Sequence, residues 1–189
     1  DINEETNEPK VFPIRDDRYS LKSQFDFKIL PGSPIAYWIS DSISRLFNNA
    51  KLSKYAISDG QNITGNNEKY LKQVWEVDKK KVGKNEKWVL VAKGGSYRKW
   101  YGNIQDVIDW SDDARFFYRT DKIARIQNES LWFREGITWN LISSNGTGFR
   151  LIEDNMLFNK AAPTILFESK DIIKLPYILG FLNTNLVSY

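Results

Sequence analysis

Apolar positions along this chain fall into short runs whose spacing changes from one end to the other. Ile35, Ile39, Ile43, Leu46 and Phe47 recur at helical spacing behind Ser33-Pro34, a pair suited to the cap and first position of a helix. The pattern predicts a helix from Pro34 to Asn48-Asn49, one face on the core and Trp38 beside the stripe. Before it, Phe25, Phe27 and Ile29 alternate with polar neighbours, as in a short strand or extended lead-in. Lys54 to Ser58 reads as a short strand closed by the Asp59-Gly60 turn, and Thr64-Gly65-Asn66-Asn67 leads into one or two helical turns over Glu68 to Lys72. Val74 to Val77 and Trp88 to Ala92 read as strands flanking a lysine-rich turn. Ile104 to Trp110 fits a helix or a strand, and the periodicity leaves both open; Ser111 to Gln127 reads as a loop with some helix.

The second half is a series of short apolar runs. Leu131 to Phe133, Ile137 to Ile142, Phe149 to Ile152, Met156 to Phe158 and Thr164 to Phe167 are separated by Glu135-Gly136, Asn145-Gly146-Thr147-Gly148 and Glu153-Asp154-Asn155. Strands at such close spacing argue a curved, mostly antiparallel β-sheet. Pro176 opens a last helix with Ile178, Leu179, Leu182 and Leu186 as its stripe. The expectation is an α+β domain over residues 25–189, its sheet bracketed by helices near both ends. Residues 1–24 are polar, lack periodicity and read as a linker or extended arm.

Composition narrows the chemistry. The chain has no Cys and no His, which removes thiolate metal sites, the commonest metal ligand and the usual general base near neutral pH. No metal site and no catalytic residue is expected. No apolar run approaches the ~20 residues of a membrane span and no signal-peptide pattern opens the chain; the expected location is cytoplasmic, in a prokaryote. The first residue is Asp1 rather than Met, as expected of a piece of a longer protein.

Net charge is only +3, but ten basic and three acidic residues lie between Lys69 and Tyr101. Such a basic segment on an otherwise mildly acidic chain is an electrostatic footprint for nucleic acid. Its densest part, Lys93-Gly94-Gly95-Ser96-Tyr97-Arg98-Lys99-Trp100-Tyr101-Gly102-Asn103, sets three cations and three aromatic rings among glycines where a strand breaks into a turn. Cations suit phosphates, flat rings suit bases or sugars, and glycines suit close backbone approach. A solvated basic turn is the plain alternative, with at least one of the Trp100 and Tyr101 rings in the core. For Lys79-Lys80-Lys81 the solvated turn is preferred.

No P-loop, Gly-x-Gly-x-x-Gly, calcium loop or His-based triad occurs. Glu76-Val77-Asp78-Lys79 has the carboxylate-then-lysine grouping of a metal-dependent nuclease, which makes such a nuclease one alternative. A non-enzymatic binder of glycans or proteins through exposed tryptophans is the other.

Five stretches, taken in order, carry a resemblance: Pro31 to Trp38; Gly60 and Thr64 to Leu71 with Trp75-Glu76-Val77; Lys93 to Asn103; Phe133 to Trp139 with Ile142-Ser143-Ser144; and Ile178 to Thr184. Over residues 25–189 the chain resembles the C-terminal half of the adenine-specific DNA methyltransferases of BREX (phage growth limitation) systems. Type IIG restriction-modification proteins share the pattern. In that family the catalytic core lies upstream, with a Phe-x-Gly-like cofactor loop and an Asn-Pro-Pro-Tyr motif; neither occurs here. The resemblance therefore implies the target recognition domain, with the α/β-type fold of such domains. It implies double-stranded DNA and an upstream methyltransferase domain of the same chain as partners. S-adenosylmethionine is expected in that upstream domain and no cofactor in this segment. The parent is implied to be an adenine-specific methyltransferase, with endonuclease activity as well in the type IIG case.

Residue chemistry supplies the expected DNA-binding set. Lys69, Lys93, Arg98 and Lys99 suit phosphates, and Trp100 and Tyr101 suit stacking. Thr64, Asn66, Asn67 and Arg134 suit base edges, joined by Ser143, Ser144 and Arg150 from the glycine-rich loop.

Overall fold

The computed structural model describes residues 3–6, 21–144, 146–185 and 187, so Asn145, Leu186 and most of the expected arm lie outside the described residues. The chain divides into two units, Asp1–Lys54 and Tyr55–Tyr189.

In the first unit the helix is shorter and later than its apolar spacing predicts. Helix α1 spans Asp41–Leu46 and is capped by Ser40, whose Oγ accepts from Ile43 N at 3.4 Å. Ser33 does not cap it: its backbone is left-handed, with φ of +49°, in a turn where its N–H donates to Leu30 O at 2.9 Å. Phe25 to Ile29 is likewise not a strand but a 3-10 turn over Asp26–Ile29. The stripe does not reach a core, since no residue of α1 is buried; Leu30 and Ala36 are the buried apolar residues described in this unit. An ion pair from Lys22 holds Asp41 at the helix N-terminus and lowers the Asp41 carboxyl below its usual range.

The second unit is an α+β fold on two four-stranded sheets. The strands are β1 (Ala56–Ile57), β2 (Leu71–Gln73), β3 (Trp88–Ala92), β4 (Asp106–Asp109), β5 (Gly136–Thr138), β6 (Arg150–Ile152), β7 (Met156–Phe158) and β8 (Thr164–Phe167). One sheet runs β1-β8-β5-β6, antiparallel throughout; the other runs β2-β4-β3-β7, with only β3 and β7 parallel. The Glu153 to Asn155 turn thus carries the chain from one sheet to the other rather than closing a hairpin.

Several boundaries move relative to the sequence pattern. Val74–Glu76 is a 3-10 turn following β2, not a strand, and Leu131 ends a 3-10 turn over Glu129–Leu131. Ile104 to Trp110 resolves as β4, whose Val107 and Ile108 are both buried. Helix α2 (Asn67–Tyr70) is the expected short one. Helix α3 (Asp112–Thr120) is longer than expected: Ser111 caps it, Asp112 and Asp113 favour its N-terminal dipole, and Ala114 and Tyr118 face inward. Helix α4 (Leu175–Leu182) has Pro176 in its first turn and buries Leu175 and Leu179.

Two apolar clusters hold this unit together. Val89, Val91, Ile108 and Leu157 pack with Tyr70, Trp110, Ala114 and Tyr118, so α2 and α3 cover the second sheet. Ile152 and Leu166 of the first sheet pack with Ala92, Met156 and Phe158 of the second. Burying apolar area at ~25 cal/mol per Å² supplies the driving force for joining the sheets.

Candidate nucleic-acid interface

The loop from Lys93 to Gln105 leaves β3 and returns as β4, and its shape is fixed by contacts to three other segments. Lys93 Nζ sits 3.2 Å from Asp106 Oδ1 at its base, and the same oxygen accepts from Gln73 Nε2 at 2.9 Å. Gly94 passes so near residue 161 that a Cβ there would lie 2.9 Å from the Ala161 carbonyl oxygen. The Gly95 carbonyl accepts from Asn140 Nδ2 at 2.7 Å, and Asn103 Nδ2 donates to Ser96 O at 2.9 Å.

The far side of the loop is sewn to the edge of the first sheet. Trp100 N donates to Phe149 O and Leu151 N to Trp100 O, each at 2.9 Å, so Trp100 forms a bridge beside edge strand β6. Gly148 packs against the Arg98 carbonyl, where an added Cβ would approach to 2.2 Å. Lys99 Nζ donates to Asn183 O at 2.8 Å. The Asn183 amide in turn donates to Phe149 O at 2.8 Å and accepts from Phe149 N at 3.1 Å. The 93–105 loop, Asn140 with Gly148 and Phe149, and the end of α4 therefore meet at one place.

What this junction presents outward is aromatic and basic. Tyr97, Trp100 and Tyr101 are 43%, 53% and 54% exposed, so neither Trp100 nor Tyr101 joins the core, contrary to the expectation for one of them. Arg98 is exposed, its stem over Gly102, and has no ion-pair partner among the described residues. A concavity of about 410 Å³ opens beside it, lined by Gly95, Ser96, Arg98, Tyr101, Asn103 and Asp106 among others. Ser143 and Ser144 lie on the exposed loop after β5, where Ser143 Oγ donates to Gly146 O.

Arg150 is expected at the surface of this site but is only 1% exposed. Its side chain lies within the fold, bonded through Nη2 to Asn140 Oδ1 at 2.9 Å. Burial lowers its pKa, because desolvation penalises the charged guanidinium.

The remaining expected residues lie elsewhere. Leu71 of β2 pairs with Ile108 and Gln73 with Asp106, which puts α2 at the end of the second sheet opposite the 93–105 loop. There Thr64, 4% exposed, donates to Asn67 Oδ1 at 2.5 Å, Asn66 caps α2 by accepting from Lys69 N at 3.0 Å, and Lys69 Nζ lies over the Tyr70 ring. Local structure thus occupies the groups of Thr64 and Asn66 that were expected to address bases. Arg134 precedes β5, at the end of the first sheet away from residues 139–149, and donates to Phe167 O at 2.6 Å while facing Glu168. Glu76 and Asp78 are also engaged locally, accepting from the backbone amides of Gln73 and Lys80.

Tyr97, Asn140 and Asn183 belong to the junction and stand outside the expected DNA-binding set. Tyr97 carried the same signal as its neighbours. The two asparagines have no local pattern that marks them, since Asn140 reaches Gly95 across 45 positions and Asn183 reaches Phe149 across 34.

No protein-family model matches the chain. Among curated proteins it is 32% identical to the adenine-specific methyltransferase BrxX of Escherichia coli O9:H4 (strain HS), over 88% of this chain and 14% of that protein. It is also 32% identical to the adenine-specific methyltransferase PglX of Lacticaseibacillus casei (strain Zhang), over 86% of this chain and 15% of that protein. The chain thus spans about one seventh of the length of these relatives.

Proposed function

The chain is homologous to a region of the BREX adenine-specific methyltransferases, and from that premise we propose that it is the target recognition domain of such an enzyme, gripping double-stranded DNA. The observation that carries this is the junction of the 93–105 loop with residues 139–149, which presents Arg98 and three half-exposed rings on a backbone fixed from several sides. Rigid placement of cations and flat rings is what positioning on a duplex requires. The parent then methylates adenine in a phage-defence system, with S-adenosylmethionine held by the part of the parent outside this chain. That upstream domain is the chain's partner on this reading.

Arg98 and Lys99 make the phosphate contacts, with Lys93 available once its pairing to Asp106 is loosened. Arg150 acts from beneath, holding Asn140 and through it the loop. Asn67 and Lys69 belong to a separate end of the second sheet and contribute only if the duplex extends that far.

The test is binding of the 189-residue chain to duplex DNA over a salt series. Affinity is expected to fall steeply as salt rises, log K losing roughly 0.9 per neutralised phosphate for each decade of salt. Replacing Arg98 and Lys99 together by Ala is expected to weaken binding and flatten that slope by close to two phosphates' worth. Absence of binding at the lowest salt would sink the proposal.

A further inference from the structure

Trp100 combines three properties that packing alone does not require together. Its backbone is left-handed, with φ of +74°, a conformation that a bulky side chain adopts only where the surroundings impose it. Its N–H and carbonyl are both bonded to the edge of the first sheet, which imposes that conformation. Yet the indole is half exposed, so the strained residue does not serve to fill the core. A glycine would make the same two backbone bonds without strain. What a tryptophan adds at this position is a large flat ring on a fixed backbone, two residues from an exposed arginine.

We propose that the Trp100 indole stacks on a nucleobase at a place where the duplex stack is broken. This rests on the DNA-binding reading above and adds a specific role for one residue within it. A ring with two π-faces and a single N–H donor matches the face of a base far better than a phosphate or a sugar hydroxyl. An intact duplex shows its base faces only at its ends, so the ring needs a step that is opened. An enzyme that acts on an adenine must take that base out of the stack, and an aromatic side chain is suited to occupy or border the gap. Tyr97 and Tyr101 are half exposed on the same loop, and Arg98, exposed two residues before Trp100, would hold the adjoining phosphate.

The experiment compares one duplex sequence in two forms, fully paired and carrying a single abasic gap, each with 2-aminopurine beside the test position. The proteins are the 189-residue chain and its Trp100→Gly and Trp100→Phe variants. Trp100→Gly suits the left-handed backbone, so its thermal midpoint should equal or exceed that of the parent. The parent is expected to bind the gapped duplex about tenfold more tightly than the paired one and to quench the 2-aminopurine. Trp100→Gly should lose both effects while keeping the salt dependence, and Trp100→Phe should keep most of each. A folded Trp100→Gly that retains the gap preference and the quench would overturn the inference and leave the DNA-binding reading intact. So would a large fall in thermal stability in Trp100→Gly, which would make the ring structural. No binding of the parent to either duplex at low salt would overturn both.

Discussion

The Arg150 guanidinium donates from Nη2 to Asn140 Oδ1 at 2.9 Å, while the amide nitrogen of Asn140 donates to the Gly95 carbonyl at 2.7 Å. One asparagine therefore links a buried cation of β6 to the loop that carries Arg98 and Trp100. No carboxylate pairs with Arg150 among the described residues, and its Nε and Nη1 are buried without a protein partner. The charge is held by a neutral amide, so the amide is the vulnerable member of the pair.

Asn140→Ala is expected to destabilise the chain by about 1–3 kcal/mol, the cost of leaving buried polar groups unpaired. Arg150→Met should cost less, because it removes the buried charge and keeps an apolar stem. Urea denaturation of the two variants gives the order. A larger loss for Arg150→Met would mean that the guanidinium is a net stabiliser and that the linkage works the other way round.

The two glycines after β5 make opposite demands. Gly148 abuts the Arg98 carbonyl, where an added Cβ would lie at 2.2 Å, whereas Gly146 has open space around it and φ of +86°. Gly148→Ala should push the two loops apart and cost about 1–3 kcal/mol, with weaker DNA binding as a consequence. Gly146→Ala should cost only the left-handed penalty, about 1 kcal/mol, with binding unchanged. Parallel melts and binding isotherms for both variants decide whether loop contact or loop flexibility matters.

Much of the architecture was readable from local pattern. Trp88 to Ala92 and Thr164 to Phe167 are strands over those same residues, since a short apolar run bounded by turn residues marks each. The failures have physical causes. Pro34 and the Ile35 to Phe47 stripe suggested a long helix, but the left-handed Ser33 and the Ser40 cap shorten it to six residues. Strand β2 was displaced by three residues because Gln73 and Glu76 form a reciprocal capping box that turns Val74 to Glu76 out of the sheet. At the site, Lys93 to Asn103 was legible from its density of charge and rings. Arg150 was misplaced because neither its charge nor its position after a glycine-rich turn reveals that Thr138 lies opposite it in a buried strand pair.

Asp121, after α3, accepts from Ala124 N at 2.9 Å and Ile123 N at 2.8 Å, and these backbone bonds, the Ala124 one foremost, lower its pKa below the ordinary 3.8. The folded state therefore holds its proton less tightly than the unfolded state. The stability this confers is complete above pH 3.8 and is lost as pH falls through the lowered folded value. Asp121→Asn should be less stable than the parent near pH 6, and the gap should shrink as melts are taken to progressively more acid pH. A gap that stays constant with pH would show that the bonds, and not the charge, carry the effect.

Asp106 restrains the basic loop electrostatically as well as structurally. Its Oδ1 meets both Lys93 Nζ at 3.2 Å and Gln73 Nε2 at 2.9 Å, and its carboxylate faces the same concavity as Arg98. Asp106→Asn keeps an acceptor for both donors but removes a negative charge from the surface proposed to meet phosphates. Lys93 would then be free to join the contact. Duplex affinity at low salt is expected to rise about threefold or more, and the salt slope to steepen by roughly 0.9, the signature of one additional phosphate contact. Adding Lys93→Ala to Asp106→Asn should return the slope to its starting value. If Asp106→Asn leaves both affinity and slope unaltered while the chain still binds DNA, the duplex approaches another face and the 93–105 loop is not its seat.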